Sequence, residues 1–319
     1  MLRPRGVKVT VVWTLALLFL GSVVHATESS LACPDWPTCF GTMMPEMTGG
    51  VFWEHLHRLV AGGLVLMFGL ATWLAARETV PTDGADRRWI VRASLAGVAL
   101  LIVQSVFGGL TVLFRLPDLV STTHLALAFA FLALATVLAT ATHGTTPDHP
   151  PVPPPAGDEP GTGVRLRVLA ATAAGLVFVQ SVLGALVRHT DAGMACPDVP
   201  LCLGQVVPPL VNLQITAHFV HRVVALLTTV AVLGLAAWVR TADVPAAVRR
   251  WSAAAVVLVL AQVALGIASV VTVLAVPWVS LHTLGAALLL VALTVIATLG
   301  GRAVNATAPR AAPVEARSL

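Results

Sequence analysis

Charge is what this sequence has least of. Asp, Glu, Lys and Arg make up 11% of its 319 residues, where a soluble protein carries roughly 25%. That scarcity excludes an ordinary soluble domain. No Cys-x-x-Cys-His motif is present, which excludes covalent attachment of a c-type haem. The apolar runs do not have the two-residue alternation of an outer-membrane barrel. The net charge is +4 and the pI about 9.4, yet the basic residues alternate from loop to loop as in a membrane protein, so nucleic acid is not an expected partner.

What remains is a chain that is 57% hydrophobic, with a mean hydropathy of +0.88. Its apolar residues gather in eight runs, roughly 8–26, 51–76, 89–114, 120–143, 165–188, 211–239, 250–273 and 277–300. About 20 apolar residues cross a hydrocarbon core about 30 Å thick. The expected fold is therefore an all-α polytopic membrane protein with eight transmembrane helices. The basic residues set its orientation. Fifteen of the 19 lie before span 1, between spans 2 and 3, 4 and 5, or 6 and 7, or after span 8. Arg115 and Arg188 stand on the opposite side, and Arg58 and Arg222 lie in motifs described below. The positive-inside rule then puts both termini in the cytoplasm. Span 1 resembles a signal peptide in its Ala-Thr end. Retention is the preferred reading, because it keeps the two halves of the chain facing the same way. Trp36, Trp53 and Trp278 mark one membrane boundary, and Trp73, Trp89, Trp238 and Trp251 the other.

Those halves repeat each other. Gly21 to Cys33 matches Gly184 to Cys196 without a gap. Cys33-Pro34-Asp35-Trp36-Pro37-Thr38-Cys39-Phe40-Gly41 matches Cys196-Pro197-Asp198-Val199-Pro200-Leu201-Cys202-Leu203-Gly204, and Gln104 to His124 has the spacing of Gln262 to His282. Four spans per half make the repeat parallel, about an axis along the membrane normal. The expected organisation is an N-terminal four-helix half at 1–143, a Pro-rich cytoplasmic linker at 144–164, a C-terminal four-helix half at 165–300 and a disordered cytoplasmic tail at 301–319.

The chemistry-bearing residues sit at one end of the spans. Trp53-Glu54-His55-Leu56-His57-Arg58 opens span 2, and Ala217-His218-Phe219-Val220-His221-Arg222 opens span 6. Ionisable groups inside a membrane are costly and mark functional sites. His57, His124, His221 and His282 lie at similar depth on alternate spans. Imidazoles from facing helices are axial ligands for haem iron, which points to one bis-histidyl haem per half, His57 with His124 and His221 with His282. Zinc or copper without a porphyrin is the competing reading; His218 and His221 share a helix face, but no third ligand clusters with them. Glu54 shares the face of His57 and is either an acid/base at that site or a carboxylate at a helix N-terminus. Its counterpart is His218, so a symmetric fold carries asymmetric chemistry. Arg58 and Arg222 suit either haem propionates or lipid headgroups. Cys33-Cys39 and Cys196-Cys202 are expected disulfides in the outer loops, structural or redox-active. The pairs Gly62-Gly63 and Gly108-Gly109 permit close approach of a helix or a porphyrin.

Together these motifs resemble the heme A synthase family, in the bacterial eight-helix form with cysteine pairs in the outer loops. The resemblance covers nearly the whole chain. It implies an enzyme of the bacterial cell membrane that oxidises a methyl group of heme O to the formyl group of heme A, for aa3-type terminal oxidases. It further implies that His57 and His124 hold the substrate haem with Glu54 as catalytic carboxylate, that His221 and His282 hold heme B, and that Cys33 and Cys39 handle the substrate or its transfer from a heme O synthase. An electron donor, a quinol or a ferredoxin-like protein, and the terminal oxidase assembly machinery are implied partners. Since two axial imidazoles leave no open position on iron, either His57 or His124 swings away to admit oxygen, or the methyl is oxidised by electron removal and captured by water. The alternatives to the enzyme are a bis-histidyl di-haem cytochrome and a transporter. A transporter would need polar residues near midplane, where the spans hold little beyond Gln104, Gln180 and Gln262.

Overall fold

The computed structural model describes residues 4–77, 84–142 and 161–307. Among them are eight long helices: α1 (Pro4–Ala26), α2 (Gly49–Arg77), α3 (Gly84–Leu113), α4 (Asp118–Thr142), α5 (Thr162–His189), α6 (Leu213–Thr241), α7 (Ala246–Val271) and α8 (Val276–Thr307). All eight are long and apolar enough to cross a membrane. The all-α membrane architecture expected from the hydropathy is thus present, with ends that differ by a few residues. α5 begins at Thr162, inside the last residues of the predicted linker, whose positions 144–160 lie outside the described residues. α8 runs past the predicted boundary at 300 to Thr307, so the start of the predicted tail is helical. Nothing stops the helix there until Pro309, which disfavours helix in the residue before it.

Each helix of the first four touches its neighbours in a closed order, α1–α2–α3–α4–α1, and the last four do the same, α5–α6–α7–α8–α5. α4 and α8 also meet each other, while α1 packs on α8 and α4 on α5. Phe129, Phe131, Leu132 and Leu138 of α4 and Leu293 and Ile296 of α8 are accordingly fully buried. In lipid, helices gain little from the hydrophobic effect when they associate and rely on close packing instead. At Gly300 an added Cβ would stand 2.9 Å from the backbone nitrogen of Arg167, so α8 and α5 meet there main chain to main chain.

The connections that lead from each odd-numbered helix to the next even one (α1–α2, α3–α4, α5–α6 and α7–α8) lie at one end, here the loop end. The α3–α4 and α7–α8 turns share one geometry. Arg115 and Leu116 take positive φ, as do Val273 and Leu274, and the Leu116 and Leu274 amides each donate to a carbonyl five residues back at 2.7 Å. The long α1–α2 and α5–α6 loops match as well. Each has a disulfide, Cys33–Cys39 or Cys196–Cys202, with Cα atoms 4.8 and 4.6 Å apart. Each closes a reciprocal backbone pair, Cys39 with Thr42 and Cys202 with Gln205. Phe40 and Leu203 then adopt φ 54°, a left-handed conformation that non-glycine residues adopt only where the surroundings hold it. Asp35 does part of that holding. Its carboxylate accepts from the Phe40 amide at 2.6 Å, the Gly41 amide at 2.9 Å and the Thr38 hydroxyl. These bonds, the Thr38 hydroxyl foremost, keep the Asp35 carboxyl below the usual carboxylate range. Asp198 does the same for the Gly204 amide at 2.6 Å.

Candidate functional site

The four histidines singled out by spacing stand near the loop-end starts of α2, α4, α6 and α8. His57 and His124 belong to one closed set of four helices, and His221 and His282 to the other. Each ring lies with its Cε1 edge against a glycine of the preceding helix. A Cβ built on Gly21 would be 3.0 Å from His57 Cε1; the same distance is 2.9 Å for Gly108 and His124, 3.0 Å for Gly184 and His221, and 3.3 Å for Gly266 and His282. Four glycines thus make room for four imidazoles. His124 Nδ1 donates to the Gln104 carbonyl at 3.0 Å, which fixes the tautomer and leaves Nε2 as the nitrogen with a free lone pair. His57 Nδ1 and His282 Nδ1 are sealed from solvent with no hydrogen-bond partner among the described residues. Half-buried, glycine-cradled imidazoles on alternate helices fit bis-histidyl binding of an iron porphyrin in each half.

The cradles give a direct expectation. Gly108→Ala forces the His124 ring to move, and the purified variant should lose the haem of the first half while keeping that of the second. Gly62→Ala is the control, since nothing lies within 4 Å of its added Cβ. Haem content per protein, read by absorbance after extraction, checks both.

Glu54 is buried at 4% exposure beside this site. Its Oε2 accepts from the Cys33 amide at 2.8 Å, and its Oε1 pairs with Arg58 at 2.5 Å. The remaining Arg58 donors clasp the loop, reaching the Asp35 and Thr38 carbonyls at 2.6 Å each and the Cys33 carbonyl at 3.4 Å. Arg222 clasps the second loop through Asp198, Leu201 and Cys196 carbonyls at 2.7, 2.6 and 2.5 Å. Sequence reasoning offered propionates or headgroups for these arginines. The structure gives both a third set of partners, the main chain of the cysteine loops, which no residue pattern announced. Trp36 carries the first loop across to α3, where an added Cβ on Gly109 would be 2.7 Å from its ring. The loop therefore covers the end of α3 next to Gly108, the cradle of His124.

The second half lacks the carboxylate. His218 is buried in the Glu54 place and its Nδ1 donates to the Ala192 carbonyl at 2.9 Å. The two clasps should therefore respond differently to the same change. Removing one partner of a buried pair costs about 3–5 kcal/mol, because the other charge is left uncompensated. Arg58→Leu strands Glu54, whereas Arg222→Leu strands no charge. In a thermal-stability measurement in detergent, Arg58→Leu should be the more destabilising of the two.

His55 is assigned no role by the sequence. It is 1% exposed, bonds the Met43 carbonyl through Nε2 at 3.0 Å, and has a ring nitrogen within 4.8 Å of the sulfurs of Cys33 and Cys39. These three are the described cluster with metal-ligand spacing, but both sulfurs are joined in the disulfide and offer no thiolate. Its counterpart in the second half is Phe219.

Sequence reasoning also passed over His25 and His189. Their rings meet edge to face, with centroids 4.9 Å apart, at the junction of the two sets of helices. His189 Nδ1 bonds the Thr122 hydroxyl at 3.1 Å, and Arg188 donates to the His25 carbonyl at 3.1 Å and pairs with Glu28 at 3.2 Å. Ser22 donates to Thr283 at 3.1 Å across the same junction. His25 aligns with Arg188 in the repeat, and His189 with Ala26, so a search for repeated histidines misses them.

A family of cytochrome oxidase assembly proteins, COX15-CtaA, matches residues 6–294. Among curated relatives, the heme A synthase of Symbiobacterium thermophilum is 33% identical, the match covering 83% of this chain and 84% of the relative. That of Shouchella clausii is 30% identical over 85% of this chain and 87% of its own. That of Shewanella oneidensis is 27% identical over 91% and 94%.

Proposed function

This chain belongs to the COX15-CtaA family of cytochrome oxidase assembly proteins, and from that membership we propose that it is a membrane oxidoreductase that converts heme O to heme A. The observation that carries this reading is the asymmetry between two matched sites. Both have two glycine-cradled histidines, and only the first has a buried carboxylate, Glu54, one turn before a histidine on the same helix. An electron-transfer cytochrome needs the histidines but has no use for that carboxylate.

In this account the chain is two parallel four-helix halves, 1–143 and 165–300, joined by a cytoplasmic linker and followed by a cytoplasmic tail. The closed order of contacts within each set of four helices supports the division. Both termini are cytoplasmic, and the loop end faces outward, where disulfides persist. The substrate, heme O, is bound by His57 and His124. Heme B, bound by His221 and His282, would supply one-electron exchange with a membrane electron donor. A heme O synthase delivers the substrate at the loop end, and the product passes to terminal oxidase assembly.

Glu54 is oriented before any substrate arrives, because the Cys33 amide and Arg58 already fix its two oxygens. From there its negative charge stabilises positive charge developing at the reacting methyl, and it takes up the proton of the incoming water. Each hydroxylation adds a water oxygen and removes two electrons and two protons from the methyl, with dioxygen as the terminal oxidant, reduced to water by these electrons and two from the membrane donor. Two such steps and loss of water give the formyl group. Arg58 and Arg222 serve the sites by holding the covering loops. Protein purified after co-expression with a heme O synthase should show low-spin bis-imidazole spectra for two chemically distinct, non-covalent haems. A single haem type at both sites would contradict this reading.

A further inference from the structure

The four imidazoles are cradled alike but not held alike. One helical turn before each cradle glycine stands a residue on the same helix face: Gln104 before Gly108, Gln180 before Gly184, Gln262 before Gly266, and Leu17 before Gly21. Each glutamine position bonds its histidine, two of them at the ring and one at the main chain. Gln104 accepts from His124 Nδ1 through its main-chain carbonyl at 3.0 Å. The Gln180 side-chain amide lies 3.1 and 3.2 Å from the ring nitrogens of His221. Its Oε1 is sealed with no partner. Turning the amide over brings that oxygen to the ring as the acceptor for an Nδ1–H. Gln262 donates to the main-chain carbonyl of His282 at 2.9 Å, while the ring Nδ1 of His282 is sealed without a partner, as that of His57 is. His57 has no such tie. Its Nδ1 is buried without a partner among the described residues, and Leu17 has no polar side chain to offer.

We propose that His57 is the releasable ligand of the first site, and that His124 is the ligand that stays. The inference rests on the reading that these two residues hold the substrate haem. A ligating imidazole whose other nitrogen is hydrogen-bonded is fixed in orientation and is the more basic donor; losing that bond typically costs 10- to 100-fold in affinity. The first site needs such an imbalance. Its occupant must enter and leave, and with both imidazoles bound nothing can be exchanged at the iron. In the second site Gln180 reaches the His221 ring, while Gln262 reaches the main chain of His282. The repeat itself points to the difference, since Leu17 and Gln180 occupy equivalent places.

The test uses the full-length protein, co-expressed with a heme O synthase and purified in detergent. Haem content is measured by extraction, and carbon monoxide binding to the reduced protein is followed by absorbance. His57→Ala should keep the first-site haem on His124 and bind carbon monoxide faster than wild type, whereas His124→Ala should lose that haem. Leu17→Gln, which gives His57 the tie that His221 has, should slow carbon monoxide binding by about 10-fold or more. Gln180→Leu should make the heme B site reactive towards carbon monoxide. The inference is overturned if the first-site haem is lost from His57→Ala and kept in His124→Ala, or if Leu17→Gln and Gln180→Leu both leave the binding rates of wild type. Wild-type protein with heme B alone would instead remove the first-site reading, and this inference with it.

Discussion

Glu54→Gln should abolish the oxidation of heme O and leave both haems in place. The substitution is chosen to separate chemistry from architecture. A glutamine can still accept from the Cys33 amide through its carbonyl, so the loop keeps one of its two anchors on α2. What is lost is the charge, and with it both the proton acceptor and the field at the reacting methyl. General acid–base catalysis contributes roughly 10²- to 10⁴-fold, so product formation should fall by at least that range. The readout is the ratio of heme A to heme O in extracts of the purified variant, alongside total haem per protein. Wild-type conversion would make Glu54 a structural carboxylate that only pairs with Arg58. Loss of haem together with activity would give it the same standing.

The second large effect is expected at the other half. His221→Leu removes the imidazole that Gln180 contacts, and heme B should disappear from the extract while first-site haem remains. The contrast with the first half is the point. If one fold carries two sites with different tasks, single-ligand losses must be separable by haem type. Simultaneous loss of both haems from His221→Leu would mean that the helices do not hold independent sites.

Much of this was legible in the sequence, for a physical reason. A lipid environment forces each span to be long, apolar and helical, so eight hydropathy runs translate into eight helices. Ionisable residues in such spans are rare enough that Glu54, His57, His124, His221 and His282 announce themselves. The ends were less legible. Nothing before Pro309 stops α8, so its helix outruns its hydrophobic stretch. Partners across the fold were not legible at all. Arg58 and Arg222 were read by what a guanidinium commonly binds, whereas they close on carbonyls of loops about 20 residues away in sequence. The His25–His189 contact joins residues 164 positions apart that the repeat does not relate. Gly62 and Gly63 look equivalent in sequence, yet only Gly63 has a neighbour, the Trp13 ring at 2.9 Å from its added Cβ. Periodicity says which residues share a face; it does not say what that face meets.

The measurement that tests the central claim most directly is conversion itself. The protein is expressed with a heme O synthase in a host that makes no heme A, and the haems are extracted and separated by chromatography. Heme A, or its hydroxylated precursor, together with heme B is the predicted result. Heme B alone, with heme O present in the same membranes, would contradict the account and leave a membrane cytochrome whose buried carboxylate serves only its loop.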